Sequence, residues 1–126
     1  MIKELFATIL LAIILVGAII NISVVNNLTG EISNLVAEAE VDAQNGYWDD
    51  AENKAETAAD LWKSREMYTH IFLRHTEVDA ATDAIYDLLK EVYSHDSDAL
   101  KGAAQLATAH LESIGSAEKV TFGSIL

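Results

Sequence analysis

The sequence contains no cysteine and no proline. The first absence excludes a disulfide scaffold, a thiolate zinc site and a cysteine nucleophile. The second leaves every backbone N–H free to join a hydrogen-bond ladder, so no residue forces a break inside a long helix. Basic residues are scarce as well: Lys and Arg total 8 against 20 Asp and Glu, a formal net charge of −12 with histidines neutral. A surface of that sign repels nucleic acid and anionic lipid head groups, so neither is expected as a partner. The chain also lacks a glycine-rich phosphate loop and a pair of histidines four apart flanking a glutamate. No Ser/His/Asp order with supporting context is present. These gaps predict a protein that is not an enzyme and carries no cofactor.

What the chain has in abundance is apolar residues at its start. From Leu5 to Ile20 only Thr8 and Gly17 interrupt the run, which continues through Ile22, Val24 and Val25 around Asn21 and Ser23. At about 1.5 Å per residue, a helix from Leu5 to Val25 is roughly 31 Å long, the thickness of a bilayer core. A secretory leader has a shorter apolar region and a small-x-small cleavage site, and Gly17-Ala18-Ile19-Ile20-Asn21 supplies none. Residues 1–26 are therefore expected to form an uncleaved signal anchor in the lipid bilayer, in preference to a cleaved leader or a buried core helix. Lys3 precedes the run, whereas Glu31, Glu38, Glu40 and Asp42 follow it. That asymmetry predicts an internal N-terminus and a domain of residues 27–126 outside the cytoplasm, at the cell membrane.

The remaining hundred residues show helical rather than strand periodicity, so the fold class is all-α: a single N-terminal transmembrane helix followed by a three- or four-helix bundle. The first stretch, Thr29 to Gln44, aligns Leu28, Ile32, Leu35, Val36, Ala39 and Ala43, and Asn45-Gly46 ends it. A second runs from Trp48 to Arg74, with Ala51, Ala55, Ala58, Trp62, Thr69 and Phe72 on one side. Thr76-Glu77-Val78-Asp79 resembles a capping box and predicts the start of a third, whose stripe is Val78, Ala81, Ile85, Leu88, Leu89 and Val92. Ser94 to Asp98 is a polar turn. The fourth stretch, from Asp98 or Ala99, presents Ala99, Ala103, Leu106, Ala107, His110, Leu111 and Ile114 and is expected to stop at Gly115. The tail carries Val120, Phe122, Ile125 and Leu126, which either pack on the bundle or bind another chain.

Two acidic ladders, Glu52-Glu56-Asp60 and Asp79-Asp83-Asp87-Glu91, place carboxylates four apart, but on the helical wheel they point away from the apolar stripes and read as solvated faces. Among the histidines, His110 is expected in the core and His95 in solvent. His75 reads as a buried or capping residue; with Glu77 and Asp79 it is the candidate set for a bound cation.

Several of these elements together resemble a known group of proteins. The anchor is followed by Asn-Gly-Tyr-Trp-Asp-Asp-Ala around Trp48, by Trp62, by Phe72-Leu73-Arg74-His75-Thr76-Glu77-Val78-Asp79, and by a closing Val-Thr-Phe-Gly-Ser-Ile-Leu. This pattern resembles a family of short, membrane-anchored, uncharacterised proteins from Gram-positive bacteria. The resemblance implies that Trp48, Trp62, Phe72, His75, Glu77 and Asp79 are family-typical positions, and it carries no activity. The expectation is an interaction or accessory module at the cell surface, engaging another membrane protein or a second copy of itself. A ligand- or cation-sensing bundle is the alternative, and a helical-repeat-like peptide-binding module a weaker one.

Overall fold

A computed structural model describes the backbone of residues 1–73 and 75–125, and the side chains of residues 1–71, 73 and 75–116. The described chain is all-α. In order, α1 spans Ile2–Gln44, α2 Trp48–Ser64, α3 Glu66–Phe72, α4 His75–Ser94 and α5 Ser97–Ile125.

The core is written in alternating steps of four and three residues. On α1 the seam is Val25, Thr29, Ile32, Val36, Ala39 and Ala43, with Leu28 buried beside it; on α2 it is Ala51, Ala55, Ala58 and Trp62, with Ala59 buried beside it. On α4 it is Val78, Ala81, Ile85, Leu88 and Val92, and on α5 Leu100, Ala104, Ala107, Leu111 and Ile114. A 3.5-residue repeat keeps one seam of each helix turned inward along its length, which is the packing of a four-helix bundle. Helix α1 packs on α2 and α5, and α4 also packs on α2 and α5, so the four long helices form a closed ring. Alanines on α2 let its neighbours come close, and Ile32, Ile85, Leu88 and Leu111, all essentially inaccessible, fill the space between them.

Helix direction alternates around the ring. Asn45 to Tyr47 reverse the chain at the far end of the bundle through a full Schellman motif: the Gly46 N–H donates to the Ala43 carbonyl and the Tyr47 N–H to that of Asp42. Gly46 takes φ +81°, where a side chain is strained. Beside this turn lies the one between α4 and α5. There His95 adopts φ 58°, and the Asp96 carboxylate accepts the Ala99 N–H at 3.1 Å as an N-cap. Each helix pair is thus closed by a left-handed residue and a short connection.

The structure corrects the expected boundaries in four places. Thr29 does not begin a helix, because α1 is already running: it is one rod from Ile2 to Gln44. The second stretch does not reach Arg74 as one helix. Its ladder breaks at Arg65, whose N–H turns to the carbonyl of Trp62, while the Ser64 hydroxyl takes that of Leu61. Leu73, extended and buried, then turns the chain toward α4. Since α4 starts at His75, Thr76 sits within its first turn and is not the N-cap of a box with Asp79.

The fourth correction concerns α5. Its inward face is rotated by about one residue, so Leu100 is buried and Leu106 is 50% exposed, while Ala99, Ala103 and His110 are half-buried. Nor does Gly115 stop it. Gly115 is buried and helical, and a Cβ there would meet the Asn26 Oδ1 at 3.2 Å, so its bareness serves the close approach of α5 to α1. The expectations for the side chains of Phe72, Val120, Phe122, Ile125 and Leu126 lie outside the described residues.

From Ile2 to Ile20 the side chains of α1 are exposed apart from the half-buried Leu15 and Ala18, and the exposed set includes Leu5, Phe6, Ile9, Ile13, Val16 and Ile19. Among the described residues this is the helix long and apolar enough to cross a membrane.

Truncating Ile85 to Ala is expected to cost about 2–5 kcal/mol, read as a fall in the thermal midpoint of the full chain in detergent micelles. Leu106→Ala, the comparable deletion on the outward side of α5, is expected to change stability by no more than about 0.5 kcal/mol. At the far turn, Gly46→Ala is expected to cost about 1–2 kcal/mol because alanine must adopt a left-handed backbone there.

Candidate functional site

The candidate residues fall at the two ends of the bundle. At the far end, Trp48 opens α2 and its indole stacks on the His95 imidazole, with ring centroids 4.7 Å apart and planes 10° from parallel. The same imidazole lies 3.2 Å through Nε2 from Glu52 on the next turn of α2. A ring stack and a polar contact therefore join the α1–α2 turn to the α4–α5 turn. His95, expected in solvent, is exposed, and its ring is engaged on both its face and its edge.

Along the flank between α2 and α4, the Tyr93 hydroxyl donates to the Glu56 carboxylate at 2.6 Å. That bond first, then loss of solvent, then the charges of Glu56, Glu52 and Asp60 hold the Tyr93 phenol above its ordinary value of 10.0. Two members of the first acidic ladder thus have partners on the neighbouring turn and helix, whereas Asp60, Asp79, Asp83 and Asp87 are exposed. Between α1 and α2, the Lys54 ammonium reaches Asp42 at 3.1 Å and Glu38 at 3.3 Å. The Asp42 hydrogen bond is the main influence raising its pKa, and burial opposes it.

Trp62 is buried near the opposite end. Its indole N–H donates at 2.8 Å to the Thr82 hydroxyl, which in turn donates to the Val78 carbonyl. This relay solves the problem every buried tryptophan poses, an apolar body with one obligatory donor. Among the described residues, no buried side-chain nitrogen or oxygen lacks a hydrogen-bond partner.

His75, Glu77 and Asp79 share the first turn of α4, yet they do not converge. His75 and Asp79 are exposed and Glu77 is half-buried. The His75 ring lies 5.8 Å from that of His70, which itself sits 3.7 Å from Glu66. Among the described residues, no group of three or more histidine or carboxylate side chains is placed to hold a metal ion.

Two open grooves flank this end of the molecule. One, of about 250 Å³, lies between α2, α3 and α4, and Trp62, Glu66, Thr69, His70, Asp79 and Thr82 line it; of the candidate triad only Asp79 takes part. The other, of about 440 Å³, separates α1 from α2 and α3, and is lined by Asn27, Leu28, Glu31, Leu61, Arg65 and Tyr68. At its edge the Tyr68 hydroxyl donates to the side-chain oxygen of Asn21.

Replacing Thr82 with Val removes the acceptor from the Trp62 indole and is expected to cost about 1–3 kcal/mol, checked by thermal unfolding followed through tryptophan fluorescence. Because the Tyr93 pKa is raised in the folded state, its contribution to stability is fully present below pH 10 and is lost as pH climbs through the raised value. Glu56→Gln is expected to bring the last tyrosine ionisation down in an ultraviolet absorbance titration.

Residues 19–125 match the family model for a domain of unknown function, DUF4363, and the chain belongs to that family. No curated protein matches it. No solved structure matches it either.

Proposed function

We propose that this DUF4363 protein is a single-pass membrane protein whose acidic four-helix bundle stands outside the cytoplasm and works as a non-enzymatic interaction or accessory module. The observation that carries this reading is the exposed, almost wholly apolar first half of α1, which continues without a break into the core of the bundle. Exposing such a run to water is opposed by roughly 25 cal/mol for every Å² of apolar surface, and a bilayer removes that opposition along the whole stretch. Lys3 before the run and the carboxylates after it support an internal N-terminus.

The interaction role is supported by the lack of convergence among the described polar groups and by the apolar residues of the C-terminal segment, Val120, Phe122, Ile125 and Leu126. On this reading the partner is another membrane protein or a second copy, and the C-terminal part of α5 contributes to the contact.

Since the chain has no cysteine of its own, a single Asp49→Cys variant reports topology directly. A membrane-impermeant maleimide is expected to label it in intact cells; labelling only after lysis would place the bundle inside and overturn the reading. Removing residues 118–126 is expected to abolish co-purification with a membrane partner while the circular dichroism of the helices persists. An unchanged set of co-purifying proteins would remove the tail from the interaction.

A further inference from the structure

We infer that α3 is an interfacial helix, whose Met67 and Ile71 side chains dip into the head-group and acyl boundary of the bilayer that α1 crosses. The inference rests on the membrane-spanning reading of α1 and adds a second, independent lipid contact to it.

The height of α3 is set by one bond. Tyr68 donates its hydroxyl to Asn21, the residue that follows the exposed apolar run ending at Ile20. Val25 is buried in the bundle, so a bilayer enclosing the exposed run ends near Asn21 and not at Val25 as the apolar stretch alone suggests, and the segment holding Tyr68 lies in the head-group region. There α3 shows two unlike faces. Thr69 is 1% exposed, while Met67 is 78% and Ile71 66% exposed. Met67 and Ile71 are four residues apart and share a side of the helix, and Thr69 lies about 200° around from Met67. In water these two large side chains have no favourable surroundings; at a lipid boundary they have.

Local charge fits the same surface. The segment from Leu61 to Thr76 holds Lys63, Arg65 and Arg74, three of the eight Lys and Arg residues of a strongly acidic chain, against a single acidic residue, Glu66. Glu66 is turned toward His70 at 3.7 Å, and Arg65 lines the groove beside Tyr68. Lys63 and Arg65, both exposed beside α3, are placed for lipid phosphates, with Tyr68 as the amphipathic residue typical of the boundary.

The test uses the full chain reconstituted into vesicles of phosphatidylethanolamine and phosphatidylglycerol. Single cysteines at Met67, Ile71, Val41 and Ile13 carry a nitroxide, and collision with oxygen and with a water-soluble nickel chelate is measured by electron paramagnetic resonance. The ratio of oxygen to nickel collisions at 67 and 71 is expected to exceed that at 41 several-fold and to fall below that at 13. Labels at 67 and 71 that behave like the one at 41, while 13 reads as lipid, would overturn the interfacial helix alone. A label at 13 that reads as water would overturn the anchor itself. Spin–spin broadening at 67 or 71 that disappears on dilution with unlabelled protein would assign this face to a second copy and equally overturn the proposal.

Discussion

The architecture depends on the unbroken hydrogen-bond ladder of α1, which joins two stretches of very different character. Over 43 residues, about 65 Å at 1.5 Å per residue, no backbone group between Ile2 and Gln44 is released from the ladder by a break. The first half is apolar all round. The second narrows to a seam of Val25, Thr29, Ile32, Val36, Ala39 and Ala43, and α2 and α5 pack against that seam. A flexible linker would let the two halves reorient; a continuous helix does not. The orientation of the bundle therefore follows from the direction in which the exposed half of α1 points, and α3, tied to Asn21 through Tyr68, sits where the two halves meet.

Packing within the ring divides the labour between small and large side chains. Ala51, Ala55 and Ala58 make α2 a thin helix, so its neighbours approach closely, and the volume is filled by isoleucine and leucine from α1, α4 and α5. Among the described residues the charged side chains lie on the flanks, where Lys54 bridges α1 to α2 and Glu56 bridges α2 to Tyr93 of α4. With so acidic a chain, the Lys54 bridge matters less for the energy of either pair than for the charges of Glu38 and Asp42 that it offsets where α1 and α2 run side by side.

The stripes on α1 and α4 were legible because branched residues recur there at intervals of three and four against a polar background, and that on α2 because its alanines keep the same intervals up to Trp62 amid charged residues. The stripe on α5 was not. Ala99, Ala103, Ala104 and Ala107 surround the helix with weakly apolar groups, so the choice between Leu100 and Leu106 belonged to the neighbouring helices rather than to the local pattern. Gly115 misled for a similar reason: a glycine at the end of a periodic run signals a stop unless another helix needs the space, and Asn26 is 89 residues away in the chain. At Arg65 neither glycine nor proline announces the break. Much of the candidate site was hidden by distance as well. His75, Glu77 and Asp79 stand together in sequence yet do not converge, whereas Trp48, Glu52 and His95 meet from two turns that only the closed ring brings side by side. The one polar arrangement that sequence principles could have anticipated is the Trp62 indole with its partner, since a buried indole N–H requires an acceptor and Thr82 lies one helical turn beyond Val78.

An even number of long helices returns the polypeptide to the pole at which it entered. The opposite pole then carries only two reversals, Asn45 to Tyr47 and His95 to Asp96, clasped by the stack of Trp48 on His95. That clasp makes the distal cap a single stiff platform, through which a load applied to either hairpin is shared by both.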